Sequence, residues 1–123
     1  MATPIKITAG TKDFNLYSSP SSNDSPAVWR YEDLLVAPMY RPTIKQMAKP
    51  NSAGTNINSR LAIRVPVVRT INGTQVSANS VGVNIEFTSL QNIAADAELA
   101  LAADAAIASL TVLKANIIAG RTT

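Results

Sequence analysis

Apolar and polar residues alternate with period two along most of the chain up to Ser89, and the pattern turns helical from Ala94. Ile5-Lys6-Ile7-Thr8 and Phe14-Asn15-Leu16-Tyr17 both alternate and flank Ala9-Gly10-Thr11-Lys12, which predicts an N-terminal β-hairpin. Ser18 to Pro26 consists of turn and loop formers and reads as a connection. Ala27 to Asp33 predicts a short strand, whereas Leu34 to Pro42 contains Pro38 and Pro42 and matches neither period. Thr43 to Lys49 predicts a strand stopped by Pro50, and Asn51 to Asn56 is a turn signal. The clearest strand is Asn58 to Arg69. Leu61, Ile63, Val65 and Val67 share one side of it, and Arg60, Ala62, Arg64 and Pro66 share the other. Pro66 cannot donate to a ladder, so it belongs at an edge or a bulge. Asn72-Gly73 is a strong hairpin signal. In the strand Val81 to Ser89, Val83, Ile85 and Phe87 face a core, and Gly82, Asn84, Glu86 and Thr88 face away.

Ala94 to Leu110 lacks Gly and Pro and is rich in alanine, the best helix former. Asp96 and Glu98 fall in the first turns, where the helix dipole favours acids, and Asn92 is the candidate N-cap. Leu99, Ala103, Ala106 and Leu110 make a narrow apolar stripe. A second short helix, Val112 to Ala119, is expected to end at Gly120. The order of strands followed by helices predicts an α+β domain spanning 1–123: a hairpin over 1–17, a sheet over 27–89 and helices over 92–120. The helices must cover the apolar face of the sheet, or the same face of a partner subunit.

Composition narrows the chemistry. The chain has 123 residues, 46% of them hydrophobic, enough for a folded domain with a modest core. Trp29, three Tyr and two Phe are its aromatics, so the core is mainly aliphatic. There is no Cys, which excludes disulfides and thiolate metal sites, and no His, which removes the commonest general base and metal ligand. Without His no serine has a plausible base, and no glycine-rich phosphate loop is present. Asp96, Glu98 and Asp104 read as a solvated helix face rather than a metal cluster. The expectation is a protein that is not an enzyme and takes no cofactor and no small-molecule substrate. Apolar runs such as Leu34 to Pro38 are too short to span a bilayer, and Met1-Ala2-Thr3-Pro4 has no secretory-signal pattern, so no membrane partner is expected. Net charge is +3, a mild basic excess whose meaning depends on whether the cations share a face.

Arg60-Leu-Ala-Ile-Arg-Val-Pro66, a Gly-containing loop, Val83-Asn-Ile-Glu-Phe-Thr88 and an acidic, Ala-rich helix, in that order, resemble the coat proteins of single-stranded RNA bacteriophages, the leviviruses. Ala27-Val28-Trp29 is similar to that family's Ala-Glu-Trp segment, with Val28 in place of the acid. The resemblance implies an N-terminal β-hairpin, a five-stranded antiparallel sheet and two C-terminal α-helices, in an intertwined homodimer with one continuous sheet. It implies an icosahedral capsid of such dimers around single-stranded RNA, a virion protein assembled in the bacterial host cytoplasm. Thr70 to Ser80 would then be a loop at symmetry axes, and the exposed sheet face would look inward at RNA.

The alternation puts Lys45, Lys49, Arg60 and Arg64 on the non-core face, with Asn58, Asn84, Glu86 and Thr88. Basic residues interspersed with amides suit phosphate contact. Basic residues also alternate outward on any half-exposed sheet. In relatives this face binds an RNA hairpin as a translational repressor. The positions matching that motif are Lys45, Lys49, Asn56, Asn58, Arg60, Asn84 and Glu86, and Arg64 joins them as RNA-binding by its place on the face. Two positions depart from the motif. Gly82 stands where those relatives stack an aromatic on a base, and Ala62 stands where they have lysine. Packaging through phosphates depends on neither; the sequence-specific hairpin contact does. Trp29 is expected in a core or dimer interface. Two other functions fit the same pattern: a small dimeric nucleic-acid-binding regulator that forms no particles, and a filament or surface-lattice subunit without RNA.

Overall fold

A computed structural model of the chain describes residues 3–21, 25–91 and 93–123. Among the described residues six strands form one antiparallel sheet in sequence order: β1 (Lys6–Ala9), β2 (Lys12–Ser18), β3 (Ala27–Tyr31), β4 (Thr43–Pro50), β5 (Asn56–Ile71) and β6 (Thr74–Leu90). One helix follows, α1 (Asp96–Ala119). The expected hairpin is present, but it continues the sheet through β2 and β3, where Phe14 pairs with Tyr31 and Leu16 with Trp29. The region 27–89 therefore supplies four strands rather than the expected five, and the hairpin brings the sheet to six. Leu34 to Pro42 contains a short 3-10 turn at Pro38–Tyr40. Part of the Ser18–Pro26 connection, 22–24, lies outside the described residues.

The expectation of two C-terminal helices is also corrected: α1 runs through the anticipated break at Thr111 and Val112 as a single helix of 24 residues. The Thr111 hydroxyl donates to the Ile107 carbonyl at 3.0 Å, which satisfies this β-branched residue within the helix. The helix stops as expected at Gly120, whose φ is 67°, with Arg121 N–H donating to the Asn116 carbonyl at 3.0 Å. Asn92, the expected cap, lies outside the described residues; Ala95 occupies the N-cap position and makes no side-chain cap bond.

The expected loop from Thr70 to Ser80 is largely strand. β5 pairs with β6 from Asn56↔Leu90 to Ile71↔Thr74, leaving a two-residue turn at Asn72-Gly73. Both turn residues have positive φ, 51° and 78°, as the twist-matched hairpin turn requires. β4 pairs with β5 only as far as Arg64, so the two longest strands run on beyond the sheet as a free ribbon. Pro66 lies just past Arg64, one residue before the bulge at Val67/Val68. Gln75 ties the ribbon down: its Oε1 accepts from Ala37 N–H at 2.8 Å, and its Nε2 donates to the Leu35 carbonyl at 2.7 Å.

The core is small. Among the described residues Phe14, Ala27, Trp29 and Ile44 are buried, with Ile7, Leu16, Tyr31, Leu61 and Ile63 packed around them. Trp29 Nε1–H donates to the Pro4 carbonyl at 2.8 Å, fastening the N-terminal segment to the middle of the sheet. The apolar face continues along Leu61, Ile63, Val83, Ile85 and Phe87, which are only half-buried. α1 lies against its own chain chiefly where β6 ends, and none of its residues is buried. By length and composition α1 is apolar enough to cross a membrane, although Asp104 and Lys114 leave it no long unbroken apolar run. The accessible surface is 9068 Å². A compact monomer of this mass exposes about 6,300 Å², so the chain carries an excess of roughly 2,700 Å².

Beyond β3 the chain turns on an ion-pair cluster. Glu32 accepts from Arg30 Nε at 2.7 Å and from Arg41 Nη1 at 2.5 Å. The hydrogen bond from Arg30, aided by its charge and by Arg41, holds the Glu32 carboxyl below the ordinary value of 4.5. The pairing therefore stabilises the fold above that value, and its contribution fades as pH falls through the lowered one. Glu32→Gln is expected to be less stable than the parent near neutral pH, with the difference closing below about pH 4.5. Denaturant titrations across that range check this; a difference that grows in acid would contradict it.

Candidate nucleic-acid interface

Strand register sorts the surface into two faces. Trp29 pairs with Ile44, Ile44 with Ile63 and Ile63 with Val83, which defines the apolar face. The opposite face is built from the intervening residues. Four rows cross β4, β5 and β6 on it: Thr43–Arg64–Gly82, Lys45–Ala62–Asn84, Met47–Arg60–Glu86 and Lys49–Asn58–Thr88. Asn56, paired with Leu90, extends the same side of β5. All eight residues singled out from the sequence, Lys45, Lys49, Asn56, Asn58, Arg60, Arg64, Asn84 and Glu86, thus lie on three adjacent strands and one face. Asn56 is half-buried and the other seven are exposed.

The four cations step alternately between β4 and β5, in the order Arg64, Lys45, Arg60, Lys49. No two stand directly opposite each other, which limits like-charge repulsion. Their line runs over six residues of strand, about 20 Å. Arg60 Nη2 donates to Asn84 Oδ1 at 3.0 Å, and Arg64 Nε donates to Ser80 Oγ at 3.1 Å. These neutral partners orient the guanidinium groups without cancelling their charge. None of the three ion pairs among the described residues involves Lys45, Lys49, Arg60 or Arg64. Glu86 is the acid within the rows, opposite Arg60, and with Met47, Lys49 and Asn58 it borders a shallow open depression. Chemically, the array offers fixed donors to anionic oxygens along a line, with amide groups between them.

Gly82 has a local reason. A Cβ built there would lie 2.5 Å from the Ile63 carbonyl oxygen, closer than side-chain carbons come to backbone. Strands β5 and β6 approach too closely at this point to admit any side chain without movement. Ala62 is half-buried between Lys45 and Asn84. Of the aromatics, Trp29 is core, as expected, and Tyr31 packs on the apolar side against Phe14, with ring centroids 6.0 Å apart. Tyr17 is a further aromatic that the pattern along the chain does not single out. Its ring lies on the polar face with the Arg30 guanidinium 4.0 Å from its centroid, and Arg30 pairs across β3 and β4 with Thr43, in the row of Arg64. The alternation of Phe14-Asn15-Leu16-Tyr17 already pointed this ring away from the core; the pairing with Arg30 is tertiary.

No family model matches the chain, and no curated protein sequence does. Solved structures do. The virus-like particle of bacteriophage AC matches with a TM-score of 0.82 and 28% identity, over 89% of this chain and 96% of that one. The virus-like particle of bacteriophage NT-391 matches with a TM-score of 0.76 and 19% identity, over 88% and 91%. The protein capsid of bacteriophage GA matches with a TM-score of 0.60 and 18% identity, over 92% and 88%.

Proposed function

We infer that this chain belongs to the levi-like phage coat proteins and that its function is structural, as a subunit of the virion shell. The observation that carries this reading is the nearly full-length likeness, at 28% identity, to a subunit of a virus-like particle. A shell subunit works by binding copies of itself, so no catalytic group is required of it.

We propose further that the working unit is a homodimer with one continuous sheet. The support is physical. β6 is 17 residues long and forms the edge of the sheet, with unpaired backbone groups on its outer side. The apolar face is half-covered and α1 has no buried residue. So long a helix with so many apolar residues needs a surface to cover, and the same face of a second copy is a fitting one. The excess surface of roughly 2,700 Å² per chain, about 5,400 Å² for two, lies at the upper end of what obligate dimers bury. Placing α1 on a partner also accounts for its apolarity without a membrane.

The polar face is then the inner wall of the shell, holding single-stranded RNA through Lys45, Lys49, Arg60 and Arg64, with Asn56, Asn58, Asn84 and Glu86 among the phosphates and bases. Phosphate contact needs only the line of cations. Assembly takes place in the host cytoplasm, where the RNA is made. A repressor contact to a particular hairpin would have to do without an aromatic at Gly82.

The test is electron microscopy of the protein expressed alone, with ultraviolet absorbance of the same fraction. Closed particles whose absorbance is dominated by nucleic acid are expected. A small dimer that forms no particles would replace this reading with that of a nucleic-acid-binding regulator, and particles free of RNA would replace it with that of a protein lattice.

A further inference from the structure

The polar face does not end at β4. From Arg64 its row continues through Thr43 to Arg30 and on to Asn15 of β2. Beside Asn15 stands Tyr17, at the bulge between Leu16 and Ser18. Its side is open: the residue is 61% exposed, the most of any aromatic on this face. The ring is nevertheless not loose, because the Arg30 guanidinium sits 4.0 Å from its centroid. Arg30 is itself fixed by Glu32, bonded at Nε at 2.7 Å, and its side chain is 17% exposed. One face of the ring is thus backed by an anchored cation and the rest is presented to solvent.

We propose that Tyr17, backed by Arg30, is a stacking platform for one unpaired RNA base at the β2–β3 end of the inner wall. This rests on the reading of that face as RNA-facing. Every base has a π-face, so a stacking platform accepts RNA without regard to sequence. The ring costs little to order on binding because Arg30 already holds its rotamer. The position also fits the closed one at Gly82. Gly82 ends the row that runs Asn15–Arg30–Thr43–Arg64–Gly82, and Tyr17 stands beside Asn15 at its other end, with Arg64 between them as a phosphate contact. The strand contact at Gly82 excludes an aromatic from one end, and Tyr17 supplies one at the other.

Ultraviolet cross-linking of intact RNA-containing particles, followed by tryptic digestion and mass spectrometry, tests this. Tyr17 falls in the peptide from Asp13 to Arg30 and is separable from the peptides of β4, β5 and β6. Nucleotide adducts are expected at Tyr17 and on the β4–β6 face. Tyr17→Phe should keep the adduct, and Tyr17→Leu should lose it while the β4–β6 adducts persist. Adducts on β4–β6 alone would overturn the platform and leave the RNA-facing wall standing. Adducts at neither place, in particles that hold RNA, would overturn both. The cross-link in the parent protein decides the matter even if Tyr17→Leu does not fold.

Discussion

Trp29→Ala is expected to cost about 3–5 kcal/mol and to abolish particle formation. Trp29 is 2% exposed, the most buried of a four-residue core, and lies between Leu16 and Ile44 in the middle of the sheet. Removing it empties the one place where β2, β3 and β4 share dense packing. Phe14, Ala27 and Ile44 are too few to collapse into the gap. The change also frees the Pro4 carbonyl that Nε1 now engages, and with it the N-terminal segment. Total stability of a small domain is about 5–15 kcal/mol, so the loss takes a large share of it. Chemical denaturation of the soluble protein checks the figure. A loss under about 1 kcal/mol would place the core elsewhere. Trp29→Phe keeps most of the volume and loses the hydrogen bond, so its cost should be clearly smaller.

Arg60→Glu with Arg64→Glu should leave the fold intact and strip RNA from the particles. Both side chains are exposed and neither is in an ion pair, so the sheet does not rely on their charge. The double change turns a patch of four cations and one anion into one of two cations and three anions. Each lost phosphate contact lowers the slope of log K against log salt by about 0.7 for single-stranded nucleic acid, so a drop of about 1.4 is expected. The ratio of nucleic-acid to protein absorbance in purified particles is the first readout, and oligonucleotide binding over a range of salt is the second. Unchanged RNA content would mean that the wall facing the RNA is another surface.

Much of this was legible in the residues because a strand declares its faces every second position. Val83, Ile85 and Phe87 against Gly82, Asn84, Glu86 and Thr88 needed no tertiary information, and the half-buried and exposed residues of β6 alternate in that order. Asn72-Gly73 announced its turn in the same way. What the chain did not announce was continuation. Thr111-Val112 looks like a break because β-branched residues are weak helix formers, but the local cost is under about 1 kcal/mol and a back-bonded hydroxyl offsets it. The strands on either side of Asn72-Gly73 reach the turn itself, where a loop from Thr70 to Ser80 had been expected, because cross-strand pairing persists past the bulge at Val67/Val68. The joining of the hairpin to β3 depends on pairing across the Ser18–Pro26 connection, which no local pattern specifies. The shared face of the eight candidate residues was legible for the same reason as the strands. Tyr17 is not legible in this way, because its meaning comes from Arg30, thirteen positions away on another strand.

The uncovered helix has a consequence in time. On the proposed reading, a chain whose α1 has no buried residue completes its packing only when it meets another, so the last step of folding is bimolecular. Its rate then scales with how many copies are present, and the melting temperature rises with concentration. A freshly made chain spends that interval with a long open strand edge and a greasy helix, the two features most prone to misassociation. Dilution would prolong the interval, and the crowded synthesis of a phage infection would shorten it. Abundance is then part of what folds this protein.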